Sequence, residues 1–399
     1  MTKKHPYPPP NNSPILDKKR AAQTAICTTP KVDFDSQLNS NYSTQISTCQ
    51  ESTSKELVEV FTPKRLGAIF LSESFSRLSL NSRAFRTSIC GTVLKFSHAI
   101  TEQGIDPHGH LAEANFCRDR LCPQCSRRRS LKIFSQVSRI MTHIGDQYQY
   151  LFLTLTVPNC APCDLDETIT MLFKGFDRLM KRKNIKRAVH GFFRALEVTR
   201  NDSADTYHPH FHCVLVVNAS YFNSRDYIQQ SDWLQMWRDS YGDQSITQVD
   251  VRKAKAKFTG DLGSVVAEIA KYAVKDSDYI FPGNPDKTDR VISILAGALK
   301  SRRLVQFGGI FKTLHKQLNL DDPEDGDLIH VDEDLHPAIA HVILTYSWSI
   351  GAYKLDSRVV LGDAKLIDPN APDGSVMRID LDSPIDQIYK YPFYPNLIN

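Results

Sequence analysis

The run YHPHFHCVLVV at residues 207–217 constrains this chain more than any other segment. Alternate residues of a strand share a face. His208, His210 and His212 therefore project from one side, followed by Val214 and Val216. Phe211, Cys213, Leu215 and Val217 cover the other. With both faces apolar beyond the histidines, the strand belongs inside a sheet. Each buried imidazole then needs a polar partner. Two neutral imidazoles two residues apart can chelate one divalent ion, provided neighbouring strands add ligands. Glu197, the lone carboxylate of the strand-like run RALEVT at 194–199, is the best candidate. An ion pair with Arg194 or Arg200 is its competing use.

The surrounding pattern alternates in type. Residues 150–157 read as a buried strand stopped by Pro158-Asn159. Ile169, Leu172, Phe173, Phe176 and Met180 keep helical spacing, with Asp164 and Glu167 at the N-cap and capping-box positions. Residues 192–199 and 248–252 add strands, and 83–96 reads as strand-like with a turn or bulge at Cys90-Gly91. Residues 231–241 and 264–275 read as helices, Ser264 capping the second. Strands and helices without a regular βαβ rhythm predict an α+β fold with a central, mainly antiparallel sheet flanked by helices.

Of the first 50 residues, 25 are Ser, Thr, Pro, Asn or Gln. Such a stretch buries too little to offset its ordering entropy, so residues 1–56 read as a disordered tail. The whole chain, 399 residues with 41% hydrophobic and 24% charged, is nevertheless a core-forming composition. It excludes a collagen and a disulfide mini-protein. Nine cysteines, an odd number, do not suggest a secreted disulfide framework. No apolar signal segment follows Met1, and no apolar run reaches membrane-spanning length, so a cytoplasmic protein is expected.

The net charge of +4 hides an uneven distribution. Residues 118–139 carry seven basic side chains against Asp119. Residues 174–187 carry seven against Asp177, and Arg252, Lys253, Lys255 and Lys257 form a third block. Residues 321–334 hold eight carboxylates and no Lys or Arg. Three basic blocks around one site suit a polyanionic partner. Arg127, Arg128 and Arg129, with Lys181, Arg182, Lys183 and Lys271, are the candidate DNA contacts.

Two further constellations carry chemistry. Glu268, Tyr272 and Lys275 lie at offsets 0, 4 and 7, one face of a helix. A phenol titrates near pH ~10 and needs help to act as a nucleophile. Lys275 is placed to stabilise developing phosphate charge, and Glu268 to act as a general base. An ordinary amphipathic helix with a Glu268–Lys271 pair is the competing reading. Separately, Cys117-x4-Cys122-x2-Cys125 supplies three thiols with knuckle spacing for a structural zinc. Cys163, Cys160, His108 and His110 are candidates for the fourth ligand, and free buried cysteines are the alternative.

Taken in order, LTLTV at 153–157, HPHFH at 208–212 and Glu268-x-x-Lys271-Tyr272-x-x-Lys275 resemble the rolling-circle replication initiators of small bacterial plasmids, within the HUH endonuclease superfamily. The Cys-rich run 117–129, RRLVQFGG at 302–309 and LNLDD at 318–322 extend the resemblance, which covers about residues 87–334. It implies an HUH-type nuclease domain at 146–312. That domain would follow a 57–145 region with the Cys-rich, zinc-knuckle-like segment and a basic helix, and precede an acidic loop and C-terminal region at 313–399. It further implies that His210 and His212, with His208 or Glu197, hold Mg²⁺ or Mn²⁺. Tyr272 would form a 5′-phosphotyrosine and leave a 3′-OH primer, and Glu268 would activate water for termination. Tyr279 is a rival nucleophile if the helix continues that far. The implied partners are plasmid origin DNA and, beyond it, a host helicase and DNA polymerase. A non-catalytic zinc-knuckle DNA-binding regulator, or a transposase or relaxase of the same superfamily, is the alternative.

Overall fold

The computed structural model describes residues 54–101, 104–105, 109–145, 147–253, 274–331 and 340–361. Residues 1–53 of the tail expected at 1–56 and most of the expected helix at 264–275 lie outside them, whereas residues 54–56 open a helix rather than belonging to the tail. Helices α1 (Ser54–Arg77) and α2 (Asn81–Ser88) lead into strands β1 (Val93–Thr101), β2 (Gly104–Ile105) and β3 (His110–Ala114). Then come α3 (Pro123–Thr142), β4 (Tyr148–Thr156), α4 (Leu165–Met180), α5 (Lys183–Ala188), β5 (Val189–Asn201) and β6 (Thr206–Asn218). Next are α6 (Gln230–Tyr241), β7 (Val249–Lys253), α7 (Pro285–Ala298), β8 (Val305–Gly309) and α8 (Ile310–Gln317). The hairpin β9 (Ala340–Ser349) and β10 (Ala352–Leu361) closes the described chain.

The histidine run lies in β6, the middle strand of a five-stranded antiparallel sheet ordered β7-β4-β6-β5-β8. Its helix-facing side is apolar because every second residue is. Phe211 meets Phe173 and Phe176 of α4 edge-on, at centroid distances of 5.2 and 5.5 Å. Helix α6 packs on α4 closely enough that a Cβ on Gly175 would sit 3.2 Å from the Trp237 ring. The Trp237 indole N–H donates to the Thr156 carbonyl at 2.7 Å, tying α6 to the end of β4. Arg194 lies on this same side, opposite Cys213, buried against the faces of Phe173, Phe176 and Phe211. Burial lowers its pKa to about 10.

A second antiparallel sheet, β10-β9-β1-β2 with β3 also on β1, encloses Val58, Phe61, Leu94, Phe96 and Leu111. It joins distant parts of the chain: β1 pairs with β9 from Val93↔Ser347 to Ile100↔Ala340. Residues 340–361, set apart from 57–145 in the sequence reading, thus share a sheet with them. The strand-like reading of 83–96 needs correction. Residues 81–88 are helical, with Ala84 and Thr87 as the buried positions three apart. The turn falls at Cys90-Gly91, where Gly91 has φ +66°, and the strand starts only at Val93.

The first part of the acidic segment packs against α3. Lys132 pairs with Asp321, and Gln136 donates to the Asp321 carbonyl at 2.9 Å. Arg128 donates to the Leu328 carbonyl at 2.7 Å and Arg129 to the Glu324 carbonyl at 2.9 Å. Glu324 is itself buried and accepts the Leu304 and Val305 amides at 2.8 and 3.2 Å. Among the described residues, no helix is long and apolar enough to cross a membrane.

Truncating the core ring Phe176, Phe176→Ala, is expected to cost about 3–5 kcal/mol. Chemical denaturation checks it; a loss under about 1 kcal/mol would contradict the packing of α4 on the sheet.

Candidate active site

Cross-strand register builds the site. Glu197 of β5 lies directly opposite His210 of β6, and Thr154 of β4 opposite His212. Opposed residues share a face, so the carboxylate and both imidazoles meet on the side away from α4. His212 Nε2 is 2.9 Å from Glu197 Oε2, His210 Nε2 is 3.5 Å from the same oxygen, and the two Nε2 atoms are 3.1 Å apart. Both competing partners of Glu197 are engaged elsewhere. Arg194 is on the opposite face, and Arg200 forms ion pairs with Asp202 and Asp205.

The protonation pattern follows from the neighbours. His210 Nδ1 is 3.0 Å from the His208 carbonyl, which can only accept, so Nδ1 carries a proton. His212 Nδ1 faces the Thr154 hydroxyl at 3.5 Å. Burial by itself would raise the Glu197 pKa. Hydrogen bonds from His210 and His212 outweigh that and hold it well below the usual carboxylate range. Three donor atoms thus converge, two nitrogens and one anionic oxygen, with Glu197 and His210 buried and His212 partly so. Adjacent ligands of an octahedral Mg²⁺-sized ion stand about 3.0 Å apart. The observed separations fit one face of such a site, and the mixed N,O donor set suits a borderline or hard divalent cation.

His208 does not join this group. Its ring lies 5.0 Å from that of His210, tilted by 34°, and it lines an open cleft with Asn159, Thr199, Asn201 and Ser203. Burial lowers its pKa, with His210 adding to the effect.

Glu268, Lys271 and Tyr272 lie outside the described residues. Lys275 is described, and it departs from the expected helix. Its ψ of 140° is extended, and a 3₁₀ turn, Asp276–Asp278, follows. The 0, 4, 7 spacing therefore does not hold at Lys275. Tertiary contacts pull the chain off the helical path: Asp276 pairs with Lys64 of α1 at 2.8 Å, and the buried Tyr279 donates its hydroxyl to the Leu121 carbonyl. That burial pushes the Tyr279 phenol well above its ordinary pKa. The segment still runs near the triad: Asp278 senses the charges of both Lys275 and Glu197, although burial is the main cause of its raised pKa.

The basic blocks divide into structural and exposed members. Arg128 and Arg129 are buried and donate to main-chain carbonyls, so they do not present their charge to DNA as the sequence suggested. Arg182 joins the end of α4 to α6 through the Ser240 hydroxyl at 2.9 Å and Asp239 at 3.3 Å. Arg127 lies over the Phe61 ring. Lys181 and Lys183 are exposed.

The cysteines also regroup. Cys117, Cys122 and Cys125 cluster with Cys90, all four buried. Cys163, the expected fourth ligand, is instead exposed and contacts Asp164, while Cys160 makes paired backbone hydrogen bonds with Tyr207. His110 is exposed and His108 lies outside the described residues. Cys90 carried no ligand signal in the sequence, being 27 residues from Cys117 and outside any C-x2-C pair.

A His₂Glu triad held across two paired inner strands of an antiparallel sheet suits a protein acting on a polyanion. The model of a replication-protein family, Rep, matches residues 108–354. A "Protein rep" of Bacillus amyloliquefaciens is 37% identical over 290 residues, 68% of this chain and 80% of that protein. A "Protein rep" of Streptococcus pneumoniae is 35% identical over 281 residues, covering 68% and 83%. A Staphylococcus aureus "Protein rep" is 39% identical over 194 residues, covering 48% and 81%. The chain belongs to this Rep family of plasmid replication initiators. No solved structure matches it.

Removing one imidazole, His212→Ala, is expected to weaken Mn²⁺ binding at least about tenfold, read by titration calorimetry. Unchanged affinity would show that the triad is not where the ion binds.

Proposed function

We propose that this chain is a rolling-circle initiator that nicks and rejoins one strand of plasmid origin DNA in the bacterial cytoplasm. The observation that carries the reading is the convergence of Glu197 of β5 with His210 and His212 of β6, in a chain of the Rep family. When held by these three residues, Mg²⁺ or Mn²⁺ supplies Lewis acidity at the scissile phosphate.

The chain's own residues do the rest. Tyr272 Oη gives up its phenolic proton and forms a bond to phosphorus, and the bond from phosphorus to the departing 3′-oxygen breaks. That oxygen leaves with the electron pair and takes up one proton, matching the one the phenol released, giving the 3′-OH that a host polymerase extends. The 5′ end stays on Tyr272 as a phosphotyrosine. For termination, Glu268 takes a proton from water, the resulting hydroxide attacks phosphorus, and Tyr272 is released. Lys275 steadies the charge on the phosphate oxygens. Its extended backbone, just past the helix expected to bear Tyr272, is compatible with that reach.

DNA contact falls to Lys181 and Lys183, to Arg127, to Lys271, and to the polar cleft beside His208. Arg128, Arg129 and Arg182 serve the fold. A host helicase is the further partner that the resemblance implies.

The test is incubation of the full chain with supercoiled DNA carrying its origin and Mn²⁺. The expected product is a nicked circle with protein on the 5′ end. Tyr272→Phe is expected to abolish the adduct and Tyr279→Phe to retain it; an adduct with Tyr272→Phe would overturn the nucleophile. Glu268→Ala is expected to form the adduct but slow its hydrolysis by about 10²-fold or more. Hydrolysis at the normal rate would overturn the base.

A further inference from the structure

We propose that Cys90, Cys117, Cys122 and Cys125 hold one Zn²⁺ in an all-thiolate site, and that this site staples three separate chain segments together. The inference does not rest on the nuclease reading.

Geometry carries it. Cys90 Sγ is 3.5 Å from Cys122 Sγ and 3.6 Å from Cys125 Sγ, and Cys117 Sγ is 3.7 Å from Cys125 Sγ. Four sulfurs around a tetrahedral Zn²⁺ at the usual bond length stand about 3.8 Å apart. The observed separations are far longer than a disulfide, about 2.05 Å. All four side chains are buried, and all four sulfurs lie within 4.8 Å of one another.

The backbone is arranged for negative sulfur. The Cys117 amide points at Cys90 Sγ at 3.3 Å, the Asp119 amide at Cys117 Sγ at 3.4 Å, and the Arg118 amide at Cys125 Sγ at 3.2 Å. Cys122 is the N-cap of α3 and Cys125 lies in its first turn, where the helix dipole favours thiolates. Four buried thiolates could not coexist without a cation among them. Four neutral thiols would leave three aimed amides on weak acceptors. A soft cation with four sulfur ligands satisfies both constraints. The harder N,O set at Glu197, His210 and His212 is a different environment, so the two centres sort different metals.

The ligands come from the turn after α2 (Cys90), the loop after β3 (Cys117) and the start of α3 (Cys122 and Cys125). Between them, Leu121 offers the carbonyl that receives the Tyr279 hydroxyl. The zinc loop therefore also anchors the segment that follows Lys275.

The experiment is metal analysis of the purified full chain after dialysis against metal-free buffer, together with the visible spectrum of the cobalt-substituted protein. One zinc per chain and the intense charge-transfer bands of a tetrathiolate cobalt centre are expected. No stoichiometric zinc, or a cobalt spectrum of mixed nitrogen–sulfur ligation, overturns the site; both measurements use the unaltered protein and so do not depend on a variant folding. Cys90→Ser is expected to lose at least half of the zinc, whereas Cys163→Ser keeps it. The reverse pattern would return the fourth position to Cys163 and overturn the assignment. The double variant His210→Ala, His212→Ala is expected to keep the zinc; its loss there would mean that the metal sits at the His site instead.

Discussion

The pairing of β5 with β6 holds the site together. Its register sets Glu197 across from His210 and Ala195 across from His212, so one carboxylate reaches both imidazoles without distortion. The pairing also sends Phe211, Cys213 and Arg194 to the opposite face, where α4 covers them. A one-residue slip would exchange the two faces. It would bury the histidines under α4 and expose the phenylalanines. The apolar packing that stabilises the sheet therefore also fixes the geometry of the polar triad. Strands β4 and β5 flank β6 on both sides, which resists such a slip.

Charge acts differently at the two ends of the molecule. The acidic segment does more than offset the net charge. Asp321 and the carbonyls of Glu324 and Leu328 receive Lys132, Arg129 and Arg128 in turn, and the Glu324 carboxylate accepts two amides at β8. Much of the basic block on α3 is spent inside the fold, leaving the exposed lysines after α4 as a more open cationic surface. A sum of charges along a sequence cannot separate these uses, because an arginine bonded to a carbonyl and one facing water count alike.

The same two kinds of contact bring together distant parts of the chain. β1 and β9 pair although about 250 residues separate them, and Cys90 approaches Cys122 and Cys125 across a sheet and a loop. Lys64 of α1 reaches Asp276, next to Lys275. The N-terminal helices, the cysteine cluster and the approach to the candidate active site are thus mechanically connected.

Periodicity alone made the histidine strand, its central position and the helix that backs it legible, because alternation and helical spacing are local properties. Glu197 could be named as a neighbour for the same reason: a lone carboxylate in a buried strand must find a partner. The family resemblance was also carried by local motifs. What the sequence could not decide was register, partner and exposure. His208 lies on the correct face but only the cross-strand pairing shows that it is left out of the triad. Cys163 had the spacing of a zinc ligand and Cys90 did not, yet the turn at Gly91 brings Cys90 to the other three sulfurs. Lys275 kept helical spacing, but an ion pair and a buried tyrosine drew it out of the helix. Each of these was settled by contacts between residues far apart in the chain, where tertiary packing outweighs local preference.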